Sequence, residues 1–200
     1  MTTSGNRDKL LGVARELYGR VAWTHKTHEK EREIWCKKSH KIKWANIIFI
    51  GITTLLAVVS ALIFGLSDNS DLCGVILLCI TSIVGIVGTC FTIYQLGFNP
   101  EKEAIKNRMA AKRLLSLRDR LLLLIERISS DDQDIESLRK KIDCLNHETS
   151  MAYENNPDTS SEAYSAASKG LKESEELTFT REEIDRMLPE SLRLSQKNND

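Results

Sequence analysis

Two long apolar runs separated by a five-residue linker restrict this chain more than any other feature of its sequence. The runs span residues 45–66 and 72–96, and neither contains Asp, Glu, Lys, Arg or His. A helix rises about 1.5 Å per residue and the hydrocarbon core of a bilayer is about 30 Å thick, so about 20 apolar residues suffice to cross it. Because the linker 67–71 is so short, the two runs predict a transmembrane hairpin.

The basic residues predict which way this hairpin is oriented. Lysines and arginines are frequent in residues 26–43 and 102–113, whereas the linker has none. Cytoplasmic segments next to membrane spans are enriched in Lys and Arg, so both termini are expected in the cytoplasm. Trp35, Trp44 and Tyr94 fit an aromatic belt at the same interface.

Helical patterns also mark the segments outside the apolar runs. Leu10, Ala14, Leu17 and Val21 recur at steps of four and three, which is one apolar face of a helix that could continue into the first run. After the second run, Asn99 followed by Pro100 is a typical helix start, with an N-cap side chain and proline in the first turn.

The helix that begins there carries a heptad stripe, which predicts a partner helix. The stripe keeps the spacing of a and d positions at Ala110, Leu114, Leu117, Leu121, Leu124 and Ile128. A break at residues 129–132 precedes a second helix that continues the periodicity from Ile135 to Leu145, so an antiparallel return is one possible partner. We also take the stripe from Leu114 to Ile128 as a candidate contact between protomers.

The predicted fold class is therefore an all-α membrane protein, a two-helix transmembrane hairpin with a cytoplasmic helical bundle and coiled-coil elements. We divide it into an N-terminal amphipathic helix (1–44), the hairpin (45–96), a helical region (97–150) and a C-terminal region (151–200). In the last region, Thr180 to Glu183 has the pattern of a capping box, and the tail 195–200 is expected to be disordered.

The second apolar run has a face of small and weakly polar residues, which allows close approach of another helix. Its members are Ser82, Gly85, Gly88, Thr89 and Thr92. They could pack the two spans of one hairpin together, or they could line a pore. Because two helices cannot enclose a water path, a pore would require several copies of the chain.

The linker contains two acidic residues, Asp68 and Asp71. In a ring of protomers they would form an acidic outer mouth of the kind that attracts cations. The alternative is that a short outer loop is acidic only because basic residues are excluded from it.

Catalytic chemistry has no recognisable motif here: there is no glycine-rich phosphate loop, paired-cysteine zinc pattern or nucleophile motif. His25 and His28 could share a helix face and bind a metal, but no third ligand accompanies them, and we interpret them as solvated. The basic stretches are expected to meet lipid headgroups rather than nucleic acid. The prediction is a protein that is not an enzyme and has no cofactor or metal site.

Several segments together resemble the SLATT family of SMODS and SLOG-associating two-transmembrane effectors. They are the hairpin, the helix with Tyr18, Arg20, Trp23 and residues 26–30 (KTHEK), and the segments 166–172 and 176–180. The resemblance covers nearly the whole chain. It implies an effector of a bacterial conflict system, encoded beside a nucleotide-second-messenger synthase or a reverse transcriptase, that permeabilises the inner membrane and kills the infected cell before phage mature.

Two functional hypotheses follow from the sequence. In the first, a partner or ligand acts on the cytoplasmic helices of an oligomeric effector, and the spans open or assemble to depolarise the membrane. In the second, the chain is a passive tether that holds a cytoplasmic complex at the bilayer. The family resemblance favours the first, and the small-residue face of the second span supports it.

Overall fold

The computed structural model describes residues 2–66, 72–130, 134–189 and 193. All regular secondary structure within those residues is α-helical, and the prediction of an all-α protein with two candidate spans is confirmed. The helices are α1 (Thr2–Leu66), α2 (Leu72–Gly97), α3 (Pro100–Ser129), α4 (Ile135–Asn155), α5 (Ser161–Lys172) and α6 (Arg181–Met187).

Helix α1 is a single rod of 65 residues, which corresponds to a length of roughly 95 Å. It contains no proline, and its N-terminal two thirds and the first apolar run follow one another without a break. The sequence pattern predicted this continuity. As a result, one rigid element belongs both to the helices outside the membrane and to the transmembrane hairpin.

The hairpin consists of the last third of α1 packed against α2. The most apolar 18 residues of each span have a mean hydropathy of 2.4, and few of them are buried within the chain. Large side chains such as Leu55 and Ile86 are mostly exposed. Such a surface would be unfavourable in water and matches the hydrocarbon of a bilayer.

Outside the membrane, α1, α3 and α4 form a helical bundle with one apolar core. Arg7 donates a hydrogen bond to the carbonyl of Ile128, so the start of α1 lies beside the end of α3 and the two helices are antiparallel. Arg120 of α3 forms an ion pair with Glu148 of α4. The core comprises Leu10, Ala14, Leu17, Val21, Leu114, Leu117, Leu121, Leu124, Ile128, Leu138, Ile142, Leu145 and Ala152.

The helix ends follow the capping signals in the sequence. The side chain of Asn99 accepts a hydrogen bond from the backbone N–H of Lys102 at 3.1 Å, and Pro100 occupies the first helical position of α3. Helix α6 begins with the predicted capping box, in which Thr180 and Glu183 bond each other's backbone N–H. The predicted disordered tail, 195–200, lies outside the described residues.

Aromatic and charged side chains hold the turn between α2 and α3 against α1. The rings of Trp35 and Phe98 lie 5.9 Å apart, and Phe98 also stacks on Tyr94. Lys43 forms an ion pair with Glu101 at 2.8 Å. Two members of the predicted aromatic belt, Trp35 and Tyr94, therefore also contact Phe98 in the turn between α2 and α3.

We expect Leu121→Ala to reduce the free energy of unfolding of the bundle by about 2–5 kcal/mol, because it removes a fully buried side chain and leaves a cavity. The neighbouring Leu122 is 52% exposed, so Leu122→Ala should change it by about 0.5 kcal/mol or less. Urea titration of both variants in detergent, followed by circular dichroism, measures the difference. Equal losses for the two variants would show that α3 does not pack in this register.

Candidate functional site

A row of polar side chains is buried on α1, between the apolar core of the bundle and the first span. His25, Lys26, Thr27, His28 and Glu31 are all less than 8% exposed. Charged residues are almost never buried this far unless they are paired. Each charged member must therefore be paired, and the partners outside α1 come from α3, from the start of α5 and from the segment after α5.

Helix α3 supplies the partners of the two histidines. His28 Nδ1 donates to the side-chain oxygen of Asn107 at 2.8 Å, while the Asn107 amide donates to the carbonyl of Glu103. His25 Nδ1 donates to the carbonyl of Ala111 at 2.9 Å. Asn107 is itself almost fully buried, so this network replaces the apolar packing found further along the same two helices.

The segment after α5 supplies the partner of Lys26. Glu176 lies 2.6 Å from Lys26 Nζ and 2.9 Å from Lys30 Nζ, and Lys26 also pairs with Glu29. Burial alone would lower the pKa of Lys26, but its hydrogen bonds to Glu176 and Glu29 outweigh burial and raise that pKa. The two lysines lower the pKa of Glu176. Lys26 and Glu176 are therefore both charged at neutral pH.

A glycine allows Glu176 to approach so closely. A Cβ added to Gly170 would lie 3.0–3.2 Å from the Glu176 carboxylate group, which is tighter than ordinary contact. The backbone N–H of Glu176 donates to the carbonyl of Gly170, and the preceding Glu175 has a φ of 48° in the left-handed region. The end of α5 and this turn thus pack closely together, and the Glu176 carboxylate at their contact pairs with α1.

The start of α5 is attached to the carboxylate of Glu31. One oxygen of Glu31 accepts hydrogen bonds from both the backbone N–H and the hydroxyl of Ser160, at 2.8 and 2.6 Å. Ser160 is also the N-cap of α5, since its hydroxyl accepts from the backbone N–H of Ala163. A single buried carboxylate therefore fixes the position at which α5 begins.

We call this set of contacts the polar junction. It joins α1 to α3, to the start of α5 and to the turn that follows α5. Its members are His25, Lys26, His28, Lys30, Glu31, Asn107, Ser160 and Glu176. Because α1 continues as the first span, any ligand or partner that rearranges the polar junction acts on a helix that enters the membrane.

The interpretation of the two histidines as solvated is wrong. His25 and His28 are 4% and 2% exposed because α3 covers them, and they lie in the polar junction. The sequence pattern does indicate that this face of α1 is buried. Extending the 4-3 spacing of the apolar face beyond Val21 reaches His28 and Glu31, and Asn107 lies seven residues before Leu114 on the heptad stripe.

No group of three or more His, Cys, Asp or Glu side chains suited to a metal ion occurs within the described residues. His25 and His28 each use Nδ1 in a hydrogen bond to α3. Their arrangement serves to connect two helices.

Gly88, from the small-residue face of α2, packs inside the hairpin. A Cβ at Gly88 would overlap the ring of Phe49 on α1, so glycine is needed for the two spans to approach here. The hydroxyls of Ser60 and Thr81 lie 3.2 Å apart across the same interface.

The other members of that face are Ser82, Gly85, Thr89 and Thr92. Ser82, Thr89 and Thr92 are exposed, and each hydroxyl donates to a carbonyl one turn earlier in α2. A Cβ at Gly85 would meet no atom within 4 Å. These four residues form an unoccupied surface of the span, which we call the outer small-residue face.

The structure places the heptad residues from Leu114 to Ile128 in the core of one chain, where they are at most 4% exposed. Their partner helices are α1 and α4 of the same chain. The prediction that they contact another protomer stays a prediction, and this structure leaves them no free surface for it. Asp68 and Asp71, the predicted acidic mouth, lie outside the described residues.

Comparison with known families agrees with this architecture. Residues 10–183 match the family of SMODS and SLOG-associating 2TM effector domains, family 4, so the match covers most of the chain. The chain belongs to the SLATT family. No curated protein and no solved structure matches it. The SLATT domain is a two-transmembrane effector domain associated with defence systems, it is not a known catalytic family, and its name links it to SMODS and SLOG partners.

In the SLATT chain, we expect Glu31→Ala to release the start of α5, because it removes two charge-assisted hydrogen bonds to Ser160. Hydrogen bonds to charged groups contribute about 1.5–3 kcal/mol, so amide exchange in α5 should accelerate about tenfold or more. Hydrogen–deuterium exchange by mass spectrometry in nanodiscs measures this. The control is Glu33→Ala, since Glu33 is exposed. Unchanged α5 protection in Glu31→Ala would contradict the role of this carboxylate.

The SLATT bundle should also lose stability on mild acidification. Burial lowers the pKa of His28 below its ordinary value of 6.5, and the hydrogen bond to Asn107 offsets burial only in part. Below about pH 6.5 His28 therefore binds a proton more readily in the unfolded state than in the folded state. The free energy of unfolding decreases as the pH is lowered through this range. We expect the melting temperature to drop between pH 7.5 and 5.5, and to drop less in His28→Gln.

His147 is exposed, so His147→Gln serves as the control for this pH dependence. A drop in melting temperature that is the same in His28→Gln as in the unmodified chain would show that His28 does not cause it. Limiting the comparison to pH 5.5 and above keeps most carboxylates ionised.

Proposed function

We propose that this chain is the membrane effector of a bacterial anti-phage system, which oligomerises and permeabilises or depolarises the inner membrane when a partner or second-messenger signal activates it. In this proposal both termini and the bundle are cytoplasmic, in agreement with the basic residues that flank the spans and are absent from the linker. The family match supports the effector role and an operon-encoded partner.

One observation carries the proposal: α1 is continuous from the polar junction into the first span. The junction holds α1 by ion pairs and hydrogen bonds to three other elements. A ligand or partner that binds one arrangement of these elements more tightly than another shifts the equilibrium toward the arrangement that it binds. Because α1 is one continuous helix, such a shift would be passed to the span without an intervening loop.

The outer small-residue face supports assembly in the membrane. Two spans cannot enclose a water path, so depolarisation requires several chains. Ser82, Thr89 and Thr92 are exposed, and a Cβ at Gly85 would meet no atom within 4 Å. These small residues would let a second copy of α2 approach closely. In such a ring the acidic residues of the linker, Asp68 and Asp71, would surround the outer mouth, where carboxylates attract cations.

The test is to measure membrane potential and growth in bacteria that express the chain with its neighbouring operon genes, before and after phage challenge. We expect triggered depolarisation, and we expect Gly85→Leu to abolish it because a leucine adds bulk to the outer small-residue face, at a position where a Cβ meets no atom within 4 Å. The control is Ile86→Leu, an apolar exchange at a lipid-facing position. Membrane fractionation confirms that both variants insert.

Depolarisation by Gly85→Leu equal to that of the unmodified chain would remove this face from the mechanism. Full potential and normal growth of the unmodified chain under every triggering condition, with insertion confirmed, would contradict the effector proposal and favour a passive tether.

A further inference from the structure

An exposed stripe of side chains on α1 crosses the point at which this helix enters the first apolar run. Lys37, Lys41, Trp44 and Ile48 follow one another at steps of four, three and four residues, which places them on one face of the helix. All four are exposed. Phe49, which packs at Gly88 of α2, lies roughly 110° away around α1, so the stripe is a different face from the one that contacts α2.

The chemistry of the stripe changes along the helix in the order of the layers of a bilayer. Two lysines come first, then Trp44, which is 62% exposed, and then Ile48, which is 57% exposed. Lysines suit the headgroups, tryptophan is enriched at the interface, and isoleucine suits the hydrocarbon. The stripe therefore matches a lipid surface better than it matches water or an apolar helix.

Distance along α1 separates the lysines that reach the headgroups from those that do not. The headgroup layer adds about 5–8 Å to each side of the hydrocarbon core. Trp44 directly precedes the apolar run, and Lys41 and Lys37 lie about 4.5 Å and about 10 Å further out on the helix. Lys26 and Lys30, which pair with Glu176, lie about 20 Å or more further out.

Two other lysines at this level have partners within the chain. Lys43 forms an ion pair with Glu101. The ammonium group of Lys38 lies 4.5 Å from the centre of the Trp35 ring. These contacts leave the two lysines of the stripe as the groups that can receive an anion from outside the chain.

Lys37 and Lys41 have neither a hydrogen bond nor an ion pair with any residue that the structure describes. Glu33 lies one turn before Lys37 but forms no ion pair with it, and the sequence has no further Asp or Glu before the linker. Residues four apart on a helix have Cβ atoms about 5–6 Å apart. Two ammonium groups on adjacent turns therefore lie at the level of the headgroups without a counter-charge.

We propose that Lys37 and Lys41 bind the phosphate of an acidic phospholipid, one whose headgroup carries no amine. One phosphate can lie between the two ammonium groups, and a headgroup with its own ammonium would bring a third positive charge to the same place. Trp44 and Ile48 then lie beside the glycerol and the acyl chains of that lipid. This contact requires only that the spans cross a bilayer and is separate from depolarisation.

Native mass spectrometry of the full chain in detergent tests the proposal with two lipids that have the same acyl chains. Phosphatidylglycerol is the acidic probe, and phosphatidylcholine is the zwitterionic one. We expect phosphatidylglycerol to bind saturably, about tenfold or more tightly than phosphatidylcholine, and to bind less tightly as salt is added. Glycerol 3-phosphate, which offers a phosphate without acyl chains, should not displace it at the same concentration.

Substitutions of the two lysines locate the contact. Lys37→Gln and Lys41→Gln should each weaken phosphatidylglycerol binding about fivefold, and the double variant about 30-fold. The charge-matched control is Lys112→Gln/Lys140→Gln, which removes two exposed lysines from α3 and α4 and should leave the binding unchanged. Lys37→Arg/Lys41→Arg keeps both positive charges and should retain most of the binding.

A measurement in nanodiscs checks the same contact in a bilayer. In a Trp23→Phe/Trp35→Phe background the remaining tryptophan is Trp44. Brominated phosphatidylglycerol should quench its emission more than brominated phosphatidylcholine at the same mole fraction. This excess should disappear when Lys37→Gln and Lys41→Gln are added.

Three results would overturn the proposal. The first is equal affinity for the two lipids. The second is an equal loss of binding in the charge-matched control, which would show an effect of total charge alone. The third is displacement by glycerol 3-phosphate, which would show a site for soluble anions. All three are read from lipid binding, so this contact and the effector proposal can fail separately.

Discussion

The burial of charge on α1 is the constraint on which the rest of this structure depends. Lys26 and Glu31 cannot be removed from water without partners. Glu29 on α1 supplies one partner of Lys26, and Glu176 and Ser160 supply the partners from outside α1. The chain therefore has to bring Ser160 and Glu176 back to α1 from more than 100 residues away. The positions of α5 and of the turn after it follow from this requirement, and a Cβ at position 170 would lie 3.0–3.2 Å from the Glu176 carboxylate group.

The bundle holds α1 in two different ways along its length. Near its N-terminus, Leu10 to Val21 pack against α3 and α4 through apolar side chains, and such packing is lost only by opening the core. Closer to the membrane, His28, Lys26 and Glu31 hold it through hydrogen bonds and ion pairs. Water, a ligand or another protein can replace a hydrogen-bonding or ion-pairing side chain in this second region. A moderate binding free energy is therefore enough to favour a different arrangement of the helices there.

Much of the fold was predictable from the sequence, because it rests on periodic and local signals. The two spans, the cap at Asn99 and the capping box at Thr180 depend on residues close together in the chain, and the structure confirms them. The polar junction was not predicted, because its contacts pair residues that are distant in sequence and its members resemble a solvated basic face. Only the extended 4-3 spacing through His28 and Glu31 marked that face as buried.

The heptad stripe shows why such a pattern does not reveal which chain supplies the partner helix. A stripe of leucines specifies that a helix is covered, and both a second protomer and an antiparallel neighbour satisfy it equally. Here α1 and α4 cover the residues from Leu114 to Ile128, so assembly through the stripe would require the bundle to exchange its own helices. The outer small-residue face demands no such exchange, since Ser82 and Thr89 are already exposed. Assembly through α2 is therefore compatible with an intact bundle, which in the proposed function is the part that receives the signal.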